Sequence, residues 1–196
     1  MTEIALIRHY PTPWNKEARL QGQTDIPLTD DARETLRGLR MPPPWDQARL
    51  ISSTLSRAVD TATLLADGRT ISQDPRLIEL SWGDWEGQQA KDLLADPDSG
   101  FIPTHEWDAE TKAPGGESRN DAWSRTRPAL ADIAADPTPA VIVTHKALMR
   151  IILGAACDWQ GVPEIKRGRL YPLTLRASGL PRDVQDPVRL IPREAP

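Results

Sequence analysis

The sequence predicts an α/β protein, a three-layer α/β/α sandwich with a mostly parallel central sheet and one lid insertion, in a single domain spanning all 196 residues. Two observations carry that expectation. Short strand-like runs alternate along the chain with segments whose apolar residues recur at helical spacing, and such alternation means a mostly parallel sheet covered on both faces. The first and fourth strands, at 3–8 and 140–144, are also continuous apolar runs of the kind buried on both sides.

The elements follow in order. After the strand at 3–8, Thr29 followed by Asp30 and Asp31 reads as a helix start, with a hydroxyl cap and acids in the first turn, leading a helix over 29–39. A strand at 49–52 precedes a helix over 55–67, where Leu55, Ala58, Val59, Ala62, Leu65 and Ala66 keep helical spacing and Gly68 is the stop. A third strand is expected at 69–72. The segment 84–116 then breaks the rhythm; it carries Phe101, His105 and Trp107, ends in Pro114-Gly115-Gly116, and reads as a lid, with His105 an exposed loop residue. A helix over 118–135 is expected to be interrupted and kinked by Pro128. The strand at 140–144, a helix over 147–157 and a strand at 172–176 complete the pattern. Prolines among charges from 179 to 196 predict a loosely held tail, with at most an edge strand near 188–191.

Composition narrows the function. A net charge of −4 argues against a nucleic-acid partner, which would call for a broad basic face. No apolar run reaches membrane-spanning length and no basic amphipathic stretch suggests a membrane surface, so no membrane partner is expected. The chain starts with strand-like sequence and no basic leader, which reads as cytoplasmic. Cys157, the lone cysteine, lies in an apolar run at 151–157 that predicts a buried thiol and excludes an intrachain disulfide. Three histidines and one cysteine show no metal-ligand spacing, so neither metal nor cofactor is expected. A homodimer is compatible with the sequence, which does not set the oligomeric state.

Chemistry concentrates at strand ends. Leu6-Ile7-Arg8-His9 closes the first apolar run with a cation and an imidazole, and Val143-Thr144-His145-Lys146 repeats the placement. In open α/β sheets ligands bind beyond the carboxyl ends of strands. Asn15, Arg19, Gln21 and Gly22 follow the first histidine, Arg57 opens a helix behind a short strand, and Glu79 precedes a Trp82–Trp85 stretch. A cation in the first turn of a helix opposes the helix dipole, so a nearby anion is its natural compensation. Taken singly, Arg57 and Glu86 read better as solvated groups and Trp85 as core, and Arg19 reads equally well as an exposed loop residue.

Along 6–29, 52–62, 77–87, 114–118 and 141–150, in order and at similar spacing, the chain resembles the histidine phosphatase superfamily, also called the phosphoglycerate mutase-like family. The resemblance implies a small-molecule phosphate ester as substrate and a mechanism needing no metal. Phosphoryl transfer spreads negative charge over equatorial oxygens, which Arg8 and Arg57 suit as permanently charged, bidentate donors. Asn15, Gln21, Gly22 and Lys146 are the expected substrate-binding residues. His9 occupies the family's nucleophile position, where a neutral imidazole forms a phosphohistidine. His145, if charged, would hold the transferring group, and the helix after it would aim amides at the same anion. Glu79 is the expected proton donor, its pKa raised by apolar surroundings such as Trp82 and Trp85.

Two departures from the family pattern stand out: Tyr10 replaces the usual glycine after the first histidine, and Lys146 the usual small residue after the second. Tyr10 could narrow the pocket, Lys146 could add a cation, and Trp14, Trp82 and Trp85 could wall the pocket for a flat or sugar-like leaving group. Mutases must hold a second anion, yet residues 88–123 offer only Lys91, Lys112 and Arg119, and the longer insertion of the mutases is missing. The sequence therefore favours phosphomonoesterase over mutase. It also disfavours a silent phosphate-binding module, which would need neither His9 nor Glu79.

Overall fold

A computed structural model describes residues 1–102, 108–157 and 159–193. Strand β1 (Thr2–Arg8) lies between β5 (Ala140–Thr144), parallel to it, and β6 (Arg169–Leu175), antiparallel to it. Beyond β5 come β3 (Arg49–Ser52) and β4 (Ile71–Gln73), both parallel, while β7 (Pro181–Arg182) and β8 (Val188–Arg189) pair antiparallel with β6. The sheet is thus mixed and mostly parallel, as the alternating pattern predicts.

Successive residues of the central strands point to opposite faces. Ile4, Leu6, Ala140 and Ile142 enter one core, with α5 (Arg119–Ala134) and α6 (Lys146–Gly154) over them. Ala5, Ile7, Val141 and Val143 enter the other, beneath α2 (Asp30–Arg37) and α3 (Ser56–Ala66). Each fully buried Leu, Ile or Val in these layers stabilises the fold by about 1.5–3 kcal/mol.

Register decides where the site forms. Arg8 stands opposite Thr144, and Ser52 opposite Val143, so three parallel strands end at one level. The next backbone hydrogen bonds, His9 N–H to Thr144 O at 2.9 Å and Ser53 N–H to Val143 O at 3.1 Å, carry the pairing one residue past the strands. His9, Ser53 and His145 therefore leave the same edge together.

Local signals are largely obeyed. Thr29 caps α2, its hydroxyl accepting the Ala32 N–H at 3.2 Å, and Ser118 and Asp121 form a reciprocal cap on α5. Against expectation, α5 runs on through Pro128 without interruption. Its capped start and the burial of Ala122, Ala129, Leu130 and Ile133 hold it together there. α6 ends at Gly154 rather than at 157, and the Trp159 ring packs on Gly154, where a Cβ would stand 2.6 Å from it. Cys157, beyond that end, is a free thiol but only half-buried, which corrects its expected burial.

The tail also departs from expectation. β7 and β8 extend the sheet, β9 (Ile191–Pro192) pairs with β2 (Leu39–Arg40), and Leu190 is buried. Arg193 ties the end down through the Leu39 and Leu64 carbonyls and Asp67. Pro181 and Pro192 fit because they sit on edges, where a missing N–H leaves no ladder bond unmade. His105, Trp107 and Pro196 lie outside the described residues. In the rest of the segment read as a lid, α4 (Ala90–Ala95) lies across the carboxyl edge of the sheet, and Trp85 is buried against Phe101 at 4.9 Å between centroids. Among the described residues no helix is long and apolar enough to cross a membrane.

Candidate active site

A cavity of about 630 Å³ opens where the parallel strands end. Arg8, His9, Asn15, Gln21 and Glu79 line its base, Trp82, Leu94, Phe101 and Ile151 its apolar wall, and Arg19, Arg119, Lys146 and Arg150 its rim. Arg57 and His145, both fully buried, stand behind His9, the two imidazoles 5.2 Å apart.

The His9 ring is oriented by its own turn. Nδ1 lies 2.7 Å from the Tyr10 carbonyl, so the proton sits on Nδ1 and Nε2 keeps a lone pair. Burial first, then Arg57 and Arg8, hold this imidazole well below its ordinary pKa, which keeps the lone pair available at neutral pH. His145 is also held well below its ordinary value, by burial and then Arg57 and His9. Burial therefore leaves His145 a neutral ring, so the condition that it be charged is not met. Its Nε2 lies 2.7 Å from the Ser53 hydroxyl; a neutral ring accepting there carries its proton on Nδ1.

Glu79 is buried and its carboxyl pKa is raised, by burial, against the pull of three backbone amides. Oε1 accepts from Leu80 N–H at 2.9 Å and Leu148 N–H at 3.0 Å, Oε2 from Ala147 N–H at 3.2 Å. Two first-turn amides of α6, expected to face a substrate anion, therefore hold this carboxyl instead. Oε2, with one hydrogen bond, has a lone pair left for a proton.

Among the described residues, five buried side-chain nitrogen or oxygen atoms lack a hydrogen-bond partner, and four of them are Arg8 Nε, Gln21 Nε2, Arg57 Nε and His145 Nδ1. Arg8 Nε, Gln21 Nε2 and Arg57 Nε can only donate, His145 Nδ1 donates in the tautomer whose Nε2 accepts from Ser53, and all belong to residues around His9. A desolvated donor left unpaired costs about 1–3 kcal/mol, more when charged, so such a concentration is a deficit that an oxyanion would fill.

The fold explains why these donors stay free. Arg57 spends its terminal nitrogens on the Gly22 and Thr24 carbonyls, so its fork is partly occupied and Nε remains. Gly22 itself sits behind the cavity; a Cβ there would meet the Glu86 carboxylate at 2.2 Å. Glu86 is no solvated group, since it accepts from Gln23, Thr24 and Trp82 and joins the two loops. Gln21 Oε1 takes the Thr12 hydroxyl at 2.7 Å and Asn15 Nδ2 at 3.1 Å, so the amide is held by its oxygen and Nε2 remains.

Other placements differ from expectation. Tyr10 is buried in the core and does not line this cavity, its hydroxyl close against Gly168. Of the three tryptophans expected in the wall only Trp82 is there; Trp85 is core, Trp14 packs on Gly87, and Trp159 was missed. Arg19 does reach the rim.

Two positioning arginines were also missed. Arg167 donates to the His9 carbonyl at 3.2 Å and to Asn15 Oδ1 at 2.7 Å, its own pKa lowered by burial to about 10. Arg125 donates to the carbonyls of Arg76, Ile78 and Glu79 and to both oxygens of Glu117. A cation on the inward stripe of α5, three residues from Ala122 and four from Ala129, was the available signal for Arg125. Arg125→Met should destabilise the protein by about 3–5 kcal/mol, because Glu117 and three carbonyls lose their partner. Chemical denaturation measures it, and a loss under 1 kcal/mol would mean that solvent replaces those bonds.

The neutral histidines set a pH dependence of stability. Unfolded histidines titrate near about 6.5. Because the folded-state values of His9 and His145 lie below that, the unfolded chain binds more protons as pH falls, and stability drops from about pH 6.5 downward. Glu79, whose folded value is raised, acts in the opposite sense at lower pH. The histidine contribution is therefore read as the difference in thermal midpoint between wild type and a His9→Gln/His145→Gln variant in phosphate-free buffer. That difference should change steadily from pH 7 to 5; a constant difference would refute it.

An α/β sandwich that gathers unpaired donors around a neutral imidazole at its strand ends defines a phosphate-handling enzyme of the histidine type. The chain belongs to the histidine phosphatase superfamily, branch 1, whose family model matches residues 4–174. It is 31% identical over 164 residues to the glucosyl-3-phosphoglycerate phosphatase of Mycolicibacterium vanbaalenii, covering 78% of this chain and 72% of that one. A probable phosphoglycerate mutase GpmB of Enterobacter sp. (strain 638) is 35% identical over 156 residues, covering 74% and 70%. Among solved structures, the mycobacterial glucosyl-3-phosphoglycerate phosphatase in complex with inorganic phosphate superposes with a TM-score of 0.76 at 26% identity, over 95% of this chain and 96% of that one.

Proposed function

We propose that this protein is a phosphomonoesterase that hydrolyses a small phosphate ester through a phosphohistidine on His9, with Glu79 as proton donor and no metal ion in the chemistry. The observation that carries the reading is the set of four unpaired buried nitrogens around an unprotonated His9 Nε2. Three equatorial phosphoryl oxygens would satisfy Arg8, Gln21, Arg57 and His145 while Nε2 approaches phosphorus in line. In the first step the N–P bond forms as the ester P–O bond breaks, and Glu79 protonates the departing oxygen. In the second, ionised Glu79 takes a proton from water as its oxygen attacks phosphorus, and the N–P bond breaks to release inorganic phosphate and free His9.

The mutase reading is second, supported by the relative named as a probable mutase. Against it, of the three basic residues at 88–123 only Arg119 lines the cavity; Lys112 pairs with Asp121, and Lys91 stays outside. The test is p-nitrophenyl phosphate hydrolysis in excess EDTA, with an alkali-stable phosphoenzyme trapped during turnover. Release of phosphate together with labelled His9 is the expected result. Silence toward p-nitrophenyl phosphate, with phosphoryl exchange only from a bisphosphate primer, would favour the mutase.

A further inference from the structure

Beyond the catalytic donors the cavity carries charge that a phosphoryl group does not use. Besides Arg8, the cations Arg19, Arg119, Lys146 and Arg150 line it with a single acid, Glu79, which three amides already hold, although the chain as a whole is acidic. Arg19 is paired with Glu17, and Arg119 donates to the Asp108 carbonyl. Lys146 and Arg150 remain, and among the described residues neither has a hydrogen-bond or ion-pair partner. Glu164, an acid that acts on Lys146 through space, is paired with Lys166 at 2.9 Å.

Both residues lie on α6, one turn apart, so their backbone positions differ by about 6 Å along the axis. Arg150 is held by the indole of Trp159, with its guanidinium 5.1 Å from the ring centroid, and that ring is seated on Gly154, where no side chain could fit. The side chain is thus braced by an aromatic face rather than by an acid, and its donors stay open to the cavity. Trp82, Phe101, Leu94 and Ile151 form the apolar wall of the same cavity.

We propose that Lys146 and Arg150 form a second anion subsite, so that the leaving group of the substrate is itself an acid whose anionic oxygens dock there while its carbon chain lies along the apolar wall. The inference rests on the phosphomonoesterase reading and adds the class of substrate. A spacing of about one helical turn suits two anionic groups separated by a short carbon chain.

Three esters of matched length test it: n-propyl phosphate, 3-(phosphonooxy)propanoate and 1,3-propanediol bisphosphate. Wild type should prefer the two esters with an acidic leaving group in kcat/KM by about tenfold or more, as charge-assisted contacts do. The ranking of carboxylate over phosphate, or the reverse, then identifies the acid. Arg150→Met should cut the preference to about threefold or less, and Arg150→Lys, which keeps the charge but not the fork, should retain part of it. Equal kcat/KM for n-propyl phosphate and the acidic pair in wild type, or a preference that survives Arg150→Met combined with Lys146→Met, overturns the subsite. Hydrolysis of none of the three would count against the phosphomonoesterase reading alone. Calorimetric binding of the same esters still reads the subsite in that case: tighter binding of the acidic pair supports it, and equal affinities refute it.

Discussion

His9→Ala should lower kcat for p-nitrophenyl phosphate by roughly ten-thousandfold or more, the scale seen when a covalent nucleophile is removed. The reason is geometric. Nε2 is the basic nitrogen at the base of the cavity with its lone pair free: the Tyr10 carbonyl holds Nδ1, and Ser53 engages the His145 ring. Phosphate affinity should change far less, because Arg8, Gln21, Arg57 and His145 are untouched. The fold should survive, since the His9 side chain makes one hydrogen bond, to its neighbouring carbonyl. Stopped assays in EDTA, phosphoenzyme trapping and a thermal midpoint check these points together. Activity within tenfold of wild type, or a phosphoenzyme that persists without His9, would remove the proposed mechanism.

Glu79→Gln should separate substrates by leaving group. Alkyl phosphates, whose alkoxide must be protonated to depart, should lose about a hundredfold to ten-thousandfold in kcat/KM, the range of general acid catalysis. p-Nitrophenyl phosphate should lose much less, because nitrophenolate leaves without a proton. The pH dependence follows from the direction of the shift. Glu79 is raised by burial, so its acid form persists to higher pH than that of an exposed glutamate, and wild-type kcat/KM on alkyl esters should fall on the alkaline side as it ionises. The glutamine variant should lack that alkaline limb. An equal loss for both ester classes, with the limb intact, would assign the proton to another group.

Much of this organisation is legible along the chain. Continuous apolar runs identify the buried parallel strands, the Thr29 cap and the Gly68 stop punctuate helices, and two histidines stand at strand ends where a ligand crevice forms. Those signals are short-ranged, each read within one turn or one strand. The missed features are contacts between distant segments: Arg167 on Asn15, Arg125 beneath Glu79, Trp159 on Gly154, and a proline-rich tail that pairs at two sheet edges. No local pattern marks a loop arginine as the partner of a carbonyl some 158 residues away.

By itself, then, the sequence determined the α/β class, the order of the main elements and the residue types that converge on phosphate. Only the tertiary structure decided which of those groups remain unpaired. Burial removes water from all of them, and whether a given donor then finds an acceptor depends on the whole surrounding packing: Arg57 spends two nitrogens on a loop, the α6 amides are taken by Glu79, and Arg150 is left open over an indole.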